Sequence, residues 1–358
     1  MLDPMSSGAT PPASVDQAGS PMPVTLQNSV AVPMRALAWL GRQGTRAIAA
    51  LVFIGLALPP LGELLKPFVT EAIFLLLVIS FMRVDVAALR RHLRRPAIVL
   101  AATAWTMLAV PSIVGAGCLV AGLDARSPDL FLAVMLQAAA SPMMAAPALA
   151  ALMGLDSTLV LITLVTGTAL VPLTAPLFAW WFLGGALTLS PLALGTKLFA
   201  ILGGSLLVAG AIRSIVGASA IGRHKETIDG LNVVILFVFV AAVMGTVARS
   251  FLANPLGVIE LALLSFALFF AMIGVTMLIF RSCGRQTALA LGMMVSQRNM
   301  GLMLAATDGA LPGLSWLYFA LCQFPIYLSP QLLKPIVTRL RGQPSGKTDA
   351  VVEVTGQG

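Results

Sequence analysis

Apolar residues run along this chain in long blocks separated by short polar stretches. Ten such blocks fall at 47–62, 68–83, 97–121, 129–153, 157–184, 191–216, 229–249, 256–280, 286–306 and 313–338. A helix of about 20 apolar residues spans a bilayer core of roughly 30 Å. The pattern therefore predicts an all-α polytopic membrane protein with ten transmembrane helices. Residues 1–34 are rich in Pro, Ser, Gly and Ala without a helical period and read as a disordered tail, as do residues 342–358. No basic region leads directly into an apolar core near the start, so a signal peptide is not expected. Arg35, Arg42 and Arg46 flank the first block as a short surface helix or a plain charged flank. Trp105, Trp180, Trp181 and Trp316 fall in or near block ends, as interfacial anchors or as packing within the bundle.

Two blocks are interrupted. The fourth breaks at Ser141-Pro142-Met143-Met144-Ala145-Ala146-Pro147 and ends at Gly154. The ninth breaks at Ser296-Gln297-Arg298-Asn299-Met300-Gly301 and ends at Gly309. The blocks that follow each carry paired prolines, Pro172 and Pro176 in the fifth, Pro325 and Pro330 in the tenth. These features recur at an offset of about 155 residues. Five blocks is an odd number, so the second set must enter from the opposite face. The expected organisation is two inverted five-helix repeats, 35–186 and 187–341, a plan that places a site where broken helices meet.

Composition changes the picture only by excluding alternatives. The chain is 58% hydrophobic and 10% charged, far below the roughly 25% charge of soluble domains. A net charge of +8 raises the question of nucleic acid, but the distribution of charge answers it. Lys66, Arg126, Lys197 and Arg249 lie on one side of the predicted membrane; Arg298 lies within it; the other seventeen basic residues collect on the opposite side. By the positive-inside rule both termini are cytoplasmic, the span count is even, and the expected location is the cell (inner) membrane. Cys118, Cys283 and Cys322 are scattered singly and both histidines lie in basic loops, so neither a disulfide framework nor a metal cluster is expected. No carboxylate pair or nucleophile–base set shares one depth, so an enzyme is not expected, and no cofactor is implied.

The chemistry concentrates at the two breaks. A charged side chain at mid-span costs roughly 2.5 to 3.5 kcal/mol on insertion scales, so Arg298 needs water, an anion or unwound backbone beside it. Pro142 and Pro147 lack amide hydrogens and disrupt the local ladder. The freed backbone groups must face protein or a wet cavity. Helix N-termini exposed by the breaks add partial positive charge. Gln297, Asn299 and Ser296 add neutral donors and acceptors, and Ser141 and Thr163 add hydroxyls. This set suits a small organic anion such as a carboxylate, which an arginine grips through two hydrogen bonds. The alternative for Arg298 is a brace to a neighbouring helix. For Ser141 and Thr163 it is bonding back to their own helix backbone.

These residues resemble a known family. Phe81-Met82-Arg83-Val84-Asp85 with Ala88-Leu89-Arg90-Arg91-His92-Leu93-Arg94-Arg95-Pro96, the Pro-bearing fourth block through Gly154 and Asp156, and Arg285-Gln286-Thr287-Ala288-Leu289 through Arg298-Asn299-Met300-Gly301-Leu302 are similar to the bile acid:sodium symporter superfamily. The resemblance covers roughly residues 45–340. It implies a panel and a core domain, fourth and ninth helices crossing at their breaks, and alternating access for organic anions. The family's ninth span carries Glu, then Gly-Met-Gln-Asn-Ser-Gly, and the Glu and Gln help to bind sodium. Anchored on Asn299 and Gly301, Met294 stands at the Glu position and Arg298 at the Gln position. The fourth span's Ser-Asn pair falls on Ala145 and Ala146, and Thr163 keeps one hydroxyl. The expectation is a sodium-independent carrier in which Arg298 supplies the charge that sodium supplies in relatives. The open alternatives are a sodium-dependent symporter of the same superfamily, a carrier of the auxin-efflux or arsenite type, and a non-transporting receptor that kept the fold. An arsenite carrier would be expected to use a membrane thiol, and Cys118 and Cys322 lie away from the breaks.

Overall fold

The computed structural model describes residues 24–83, 96–184, 187, 189–309 and 311–341. Among them there is no β-strand, and the chain is an all-α membrane protein. The helices are α1 (Val24–Ala57), α2 (Pro59–Leu65), α3 (Val69–Met82), α4 (Pro96–Ala104), α5 (Val110–Val120), α6 (Leu123–Arg126), α7 (Pro128–Ala139), α8 (Ala146–Leu152), α9 (Ser157–Phe178), α10 (Pro191–Val216), α11 (Ala218–Arg223), α12 (Lys225–Ala253), α13 (Pro255–Ile279), α14 (Arg285–Ser296), α15 (Met300–Ala306) and α16 (Gly313–Arg341). Among the described residues, six stretches are long and apolar enough to cross a membrane: Pro59–Met82, Pro96–Val120, Ser157–Leu183, Pro191–Val216, Lys225–Ala253 and Pro255–Ile279.

The start of the chain differs from the sequence reading. Helix α1 begins at Val24, inside the stretch assigned to a disordered tail, and runs unbroken to Ala57. It lies along α12, so a long surface finds a partner rather than solvent. Arg42 pairs with Glu226 of α12 at 2.7 Å, within that continuous helix rather than on a separate surface helix. The break between the first two apolar blocks falls at Leu58, immediately before Pro59, and not in a loop at 63–67. A proline at the first helical position is pre-set for helix and lacks only an amide that would be unpaired there. The basic loop at 84–95 lies outside the described residues.

Small residues let α2 and α12 touch. A Cβ on Gly62 would stand 2.8 Å from the Gly245 Cα and 2.6 Å from the Ala241 carbonyl oxygen. Backbones this close gain dispersion contact that side chains would prevent. Of the tryptophans, Trp180 and Trp181 are largely exposed, while Trp316 is buried and donates to the Gly309 carbonyl at 2.9 Å.

Two short helix pairs carry the site. The fourth block is split into α7 and α8, the ninth into α14 and α15. Both distal halves are seven residues long. Each ends on a glycine in the left-handed region, Gly154 at φ 63° and Gly309 at φ 65°. L side chains rarely adopt that backbone. Buried residues form two main clusters: α7 and α15 belong to one, α8 and α14 to the other. The breaks lie where these cores join.

Candidate functional site

The interrupted segments pair with each other as a short antiparallel bridge. Pro142 stands opposite Arg298. The Met143 amide donates to the Gln297 carbonyl at 2.8 Å, and the Asn299 amide donates to the Ser141 carbonyl at 2.8 Å. Each break thus satisfies backbone groups the other would leave bare, which is what unwound backbone inside a membrane protein requires. Pro147 sits in the first turn of α8, where its missing amide costs nothing.

Arg298 is 3% exposed. Its Nη1 donates to the Ala140 carbonyl at 2.9 Å and to the Thr106 carbonyl at 3.2 Å, and Nη2 donates to Thr106 at 3.3 Å. Both acceptors exist for a reason visible in sequence. Trp105–Ala109 is a π-helical turn, in which the Val110 amide bonds to Trp105. The next residue in register is Pro111, which has no amide hydrogen, so the Thr106 carbonyl is left without a partner on its own helix. Ala140 is in extended conformation (φ −64°, ψ 151°) at the end of α7, which frees its carbonyl. Two oxygens released by proline-linked irregularities hold the guanidinium.

The brace alternative is therefore met in this geometry, and it leaves the charge unpaired. No ion pair among the described residues involves Arg298. A guanidinium has five N–H hydrogens. Three bonds to neutral carbonyls leave Nε and one Nη2 hydrogen without a protein acceptor among the described residues. A buried charge without an opposite partner is among the costliest features a protein carries.

Arg298 borders two cavities. The larger, about 160 Å³, runs from the crossing between α3, α12 and α16. Its walls are mostly apolar, with Ile73, Leu77, Met143, Met144, Phe239 and Ile326 among them. Asn299 also lines it; its Oδ1 caps α15 by accepting from the Leu302 amide at 3.1 Å. The smaller cavity, about 20 Å³, touches Ser296 and Gln137. Ser296 bonds back to the Met293 carbonyl at 2.8 Å.

Of the nine sequence candidates, only Arg298 and Asn299 reach the larger cavity. Gln297 is fully buried and donates to the Ser329 hydroxyl at 2.8 Å. Met294 is buried in the core beside the crossing. Ser141 and Thr163 do not bond back to their helices: both hydroxyls, and the Gln297 Oε1, are buried without a partner. Pro142 and Pro147 shape the break without lining the cavity. Sequence reasoning missed Ser80, Asn232, Gln323 and Tyr327, which all line it. Gln323 at mid-block and Tyr327, one of two tyrosines in the chain, were signals of the same kind as Arg298.

A sodium ion would find neutral oxygens here and a positive charge beside them. No carboxylate accompanies the three unpartnered oxygens, and no cluster of His, Cys, Asp or Glu exists among the described residues. A fixed cation already occupies the carbonyls at the crossing, and like charges at about 4 Å repel by about 4 kcal/mol at an effective dielectric of 20. No protein-family model matches the chain, and no curated protein matches it in sequence.

Proposed function

We propose that this protein is a secondary transporter that carries a small organic anion, a carboxylate, past the helix crossing by alternating access and without sodium. The carrying observation is the buried Arg298 guanidinium, anchored on two backbone carbonyls, without an acidic partner among the described residues and bordering the larger cavity. A permanent positive charge there is completed by an anion that comes and goes. The proposal includes ten spans in two inverted repeats, a panel and a core, both termini on the cytoplasmic side, and no catalytic step. The likeness to the bile acid:sodium symporter superfamily supports it, as do the matched half-helices ending on Gly154 and Gly309. Membrane lipid surrounds it, and nucleic acid is not a partner.

Purified protein in proteoliposomes tests this reading. Uptake of a small carboxylate should be saturable and equal with sodium or choline outside. A strict sodium requirement would replace it with the second reading, a sodium symporter, which the unpartnered Ser141, Thr163 and Gln297 oxygens favour. Binding without flux would point instead to a receptor.

A further inference from the structure

The larger cavity says more about its ligand than the sign of its charge. Among its lining residues Arg298 is the one charged side chain. Among the described residues at the Ser80 end of the cavity, Arg83 is paired with Asp229 at 2.7 Å. A second anionic group on the ligand would be desolvated with nothing to meet it.

The far wall offers neutral hydrogen-bonding groups instead. Asn232 on α12 is half-buried, lines the cavity and has no hydrogen-bond partner among the described residues. It stands one helical turn inside Asp229, so it is on the cavity side of that ion pair. Tyr327 also lines the cavity. Gln323 by contrast is committed to the Phe319 carbonyl at 3.2 Å through its amide nitrogen. Between the two poles the walls are aliphatic, thioether and phenyl. The volume, about 160 Å³, is close to that of an engineered cavity of about 150 Å³ that takes benzene.

We infer that this cavity selects a singly charged carboxylate with a compact apolar body, about a six-membered ring in size, and a neutral hydrogen-bonding group at its far end, and that Asn232 is the specificity-determining residue for that group. The inference rests on the anion-site reading above. It assigns the carboxylate to the Arg298 pole and the hydroxyl or amide to the Asn232 pole.

The test uses three probes that share one body: cyclohexanecarboxylate, 4-hydroxycyclohexanecarboxylate and cyclohexane-1,4-dicarboxylate, titrated against the full-length protein in detergent by calorimetry. The hydroxy acid should bind about tenfold tighter than the unsubstituted acid, the ratio expected for one satisfied hydrogen bond. The dicarboxylate should bind weakest. In Asn232→Leu the ratio of hydroxy to unsubstituted acid should collapse towards one. Asn232→Lys should gain affinity for the dicarboxylate relative to the hydroxy acid, a gain that a misfolded protein cannot produce. A dicarboxylate bound as tightly as the hydroxy acid by the unmodified protein, or a ratio unchanged in Asn232→Leu, overturns this inference and leaves the anion site standing. No binding of any probe overturns both.

Discussion

Arg298 combines two roles that are usually separated. Its hydrogen bonds run to Ala140 and Thr106, which ties α14, α7 and the π-helical turn together. Its charge is left over. The two roles predict different mutant phenotypes. Arg298→Gln keeps a long polar side chain and removes the charge, so affinity for cyclohexanecarboxylate should fall at least about tenfold, the lower range for a charge-assisted hydrogen bond. Arg298→Lys keeps the charge but not the planar fork that reaches two carbonyls, so it should retain binding while losing thermal stability. Equal affinity in the glutamine variant would leave only the brace. The orphan hydroxyls make a second prediction at this scale. Thr163 is fully buried with an unpartnered oxygen, which costs about 1–3 kcal/mol. Thr163→Val is nearly isosteric and removes that oxygen. Its unfolding temperature in detergent should be unchanged or higher, with uptake retained. Loss of uptake would mean that the hydroxyl holds an ion, in favour of the sodium-coupled reading.

The site is built by what helices fail to do. Pro111 withholds an amide, and that omission is what makes Thr106 an acceptor for Arg298. Pro111→Ala restores an N–H that in the same register would bond to the Thr106 carbonyl. The guanidinium would then lose two of its three hydrogen bonds, and anion affinity should fall although Pro111 does not line the larger cavity. Unchanged affinity, measured by the same titration, would show that Ala140 alone positions the side chain. This interplay explains how much was legible in the sequence. The two interruptions could be read because proline and a cluster of polar residues have no place in an intact apolar helix, and both breaks lie where the residues put them, at 140–145 and 297–299. Which side chains face the cavity could not be read. Gln297 is adjacent in sequence to Arg298, and Ser141 is two residues from Met143, yet neither lines it, because a break removes the helical period from which a facing direction is deduced. Asn232 was hidden for another reason: it lies close behind Asp229 at a block end, where a polar residue is ordinary. The continuous α1 was missed because its partner, α12, is nearly two hundred residues away in sequence.

At the scale of the whole molecule, four ion pairs among the described residues divide evenly about the crossing, with Arg249–Glu63 lying at the same end as Lys197–Asp308. Arg42–Glu226 and Arg83–Asp229 both join α12 to neighbours near the end of α3 towards which the cavity runs through Ser80 and Asn232. At the opposite end Lys197 of α10 pairs with Asp308, just past α15, and Lys66 lies 5.0 Å above the Trp316 ring of α16. These two contacts join α10 to Asp308 and the turn before α3 to the start of α16, and in the proposed carrier they would hold that end closed while the cavity reaches the other. Under the proposed alternating access they bias a two-state equilibrium. A half-exposed ion pair contributes up to about 1 kcal/mol and an exposed cation–π contact about 0.5–1 kcal/mol, so removing both shifts the populations by about 2- to 30-fold. Lys197→Ala with Lys66→Ala should therefore move the protein towards the state open at Asp308. In a background with Cys118, Cys283 and Cys322 replaced, a thiol at Ser80 reports on the cavity end and a thiol at Thr70, beside Lys66 and Asp308, reports on the closed end. Alkylation at Ser80→Cys should slow and alkylation at Thr70→Cys should quicken when the two lysines are removed. If both rates stay as they were, these contacts do not govern which end is open, and closure at that end must come from the packing of α15 and α16 against α10 and α3.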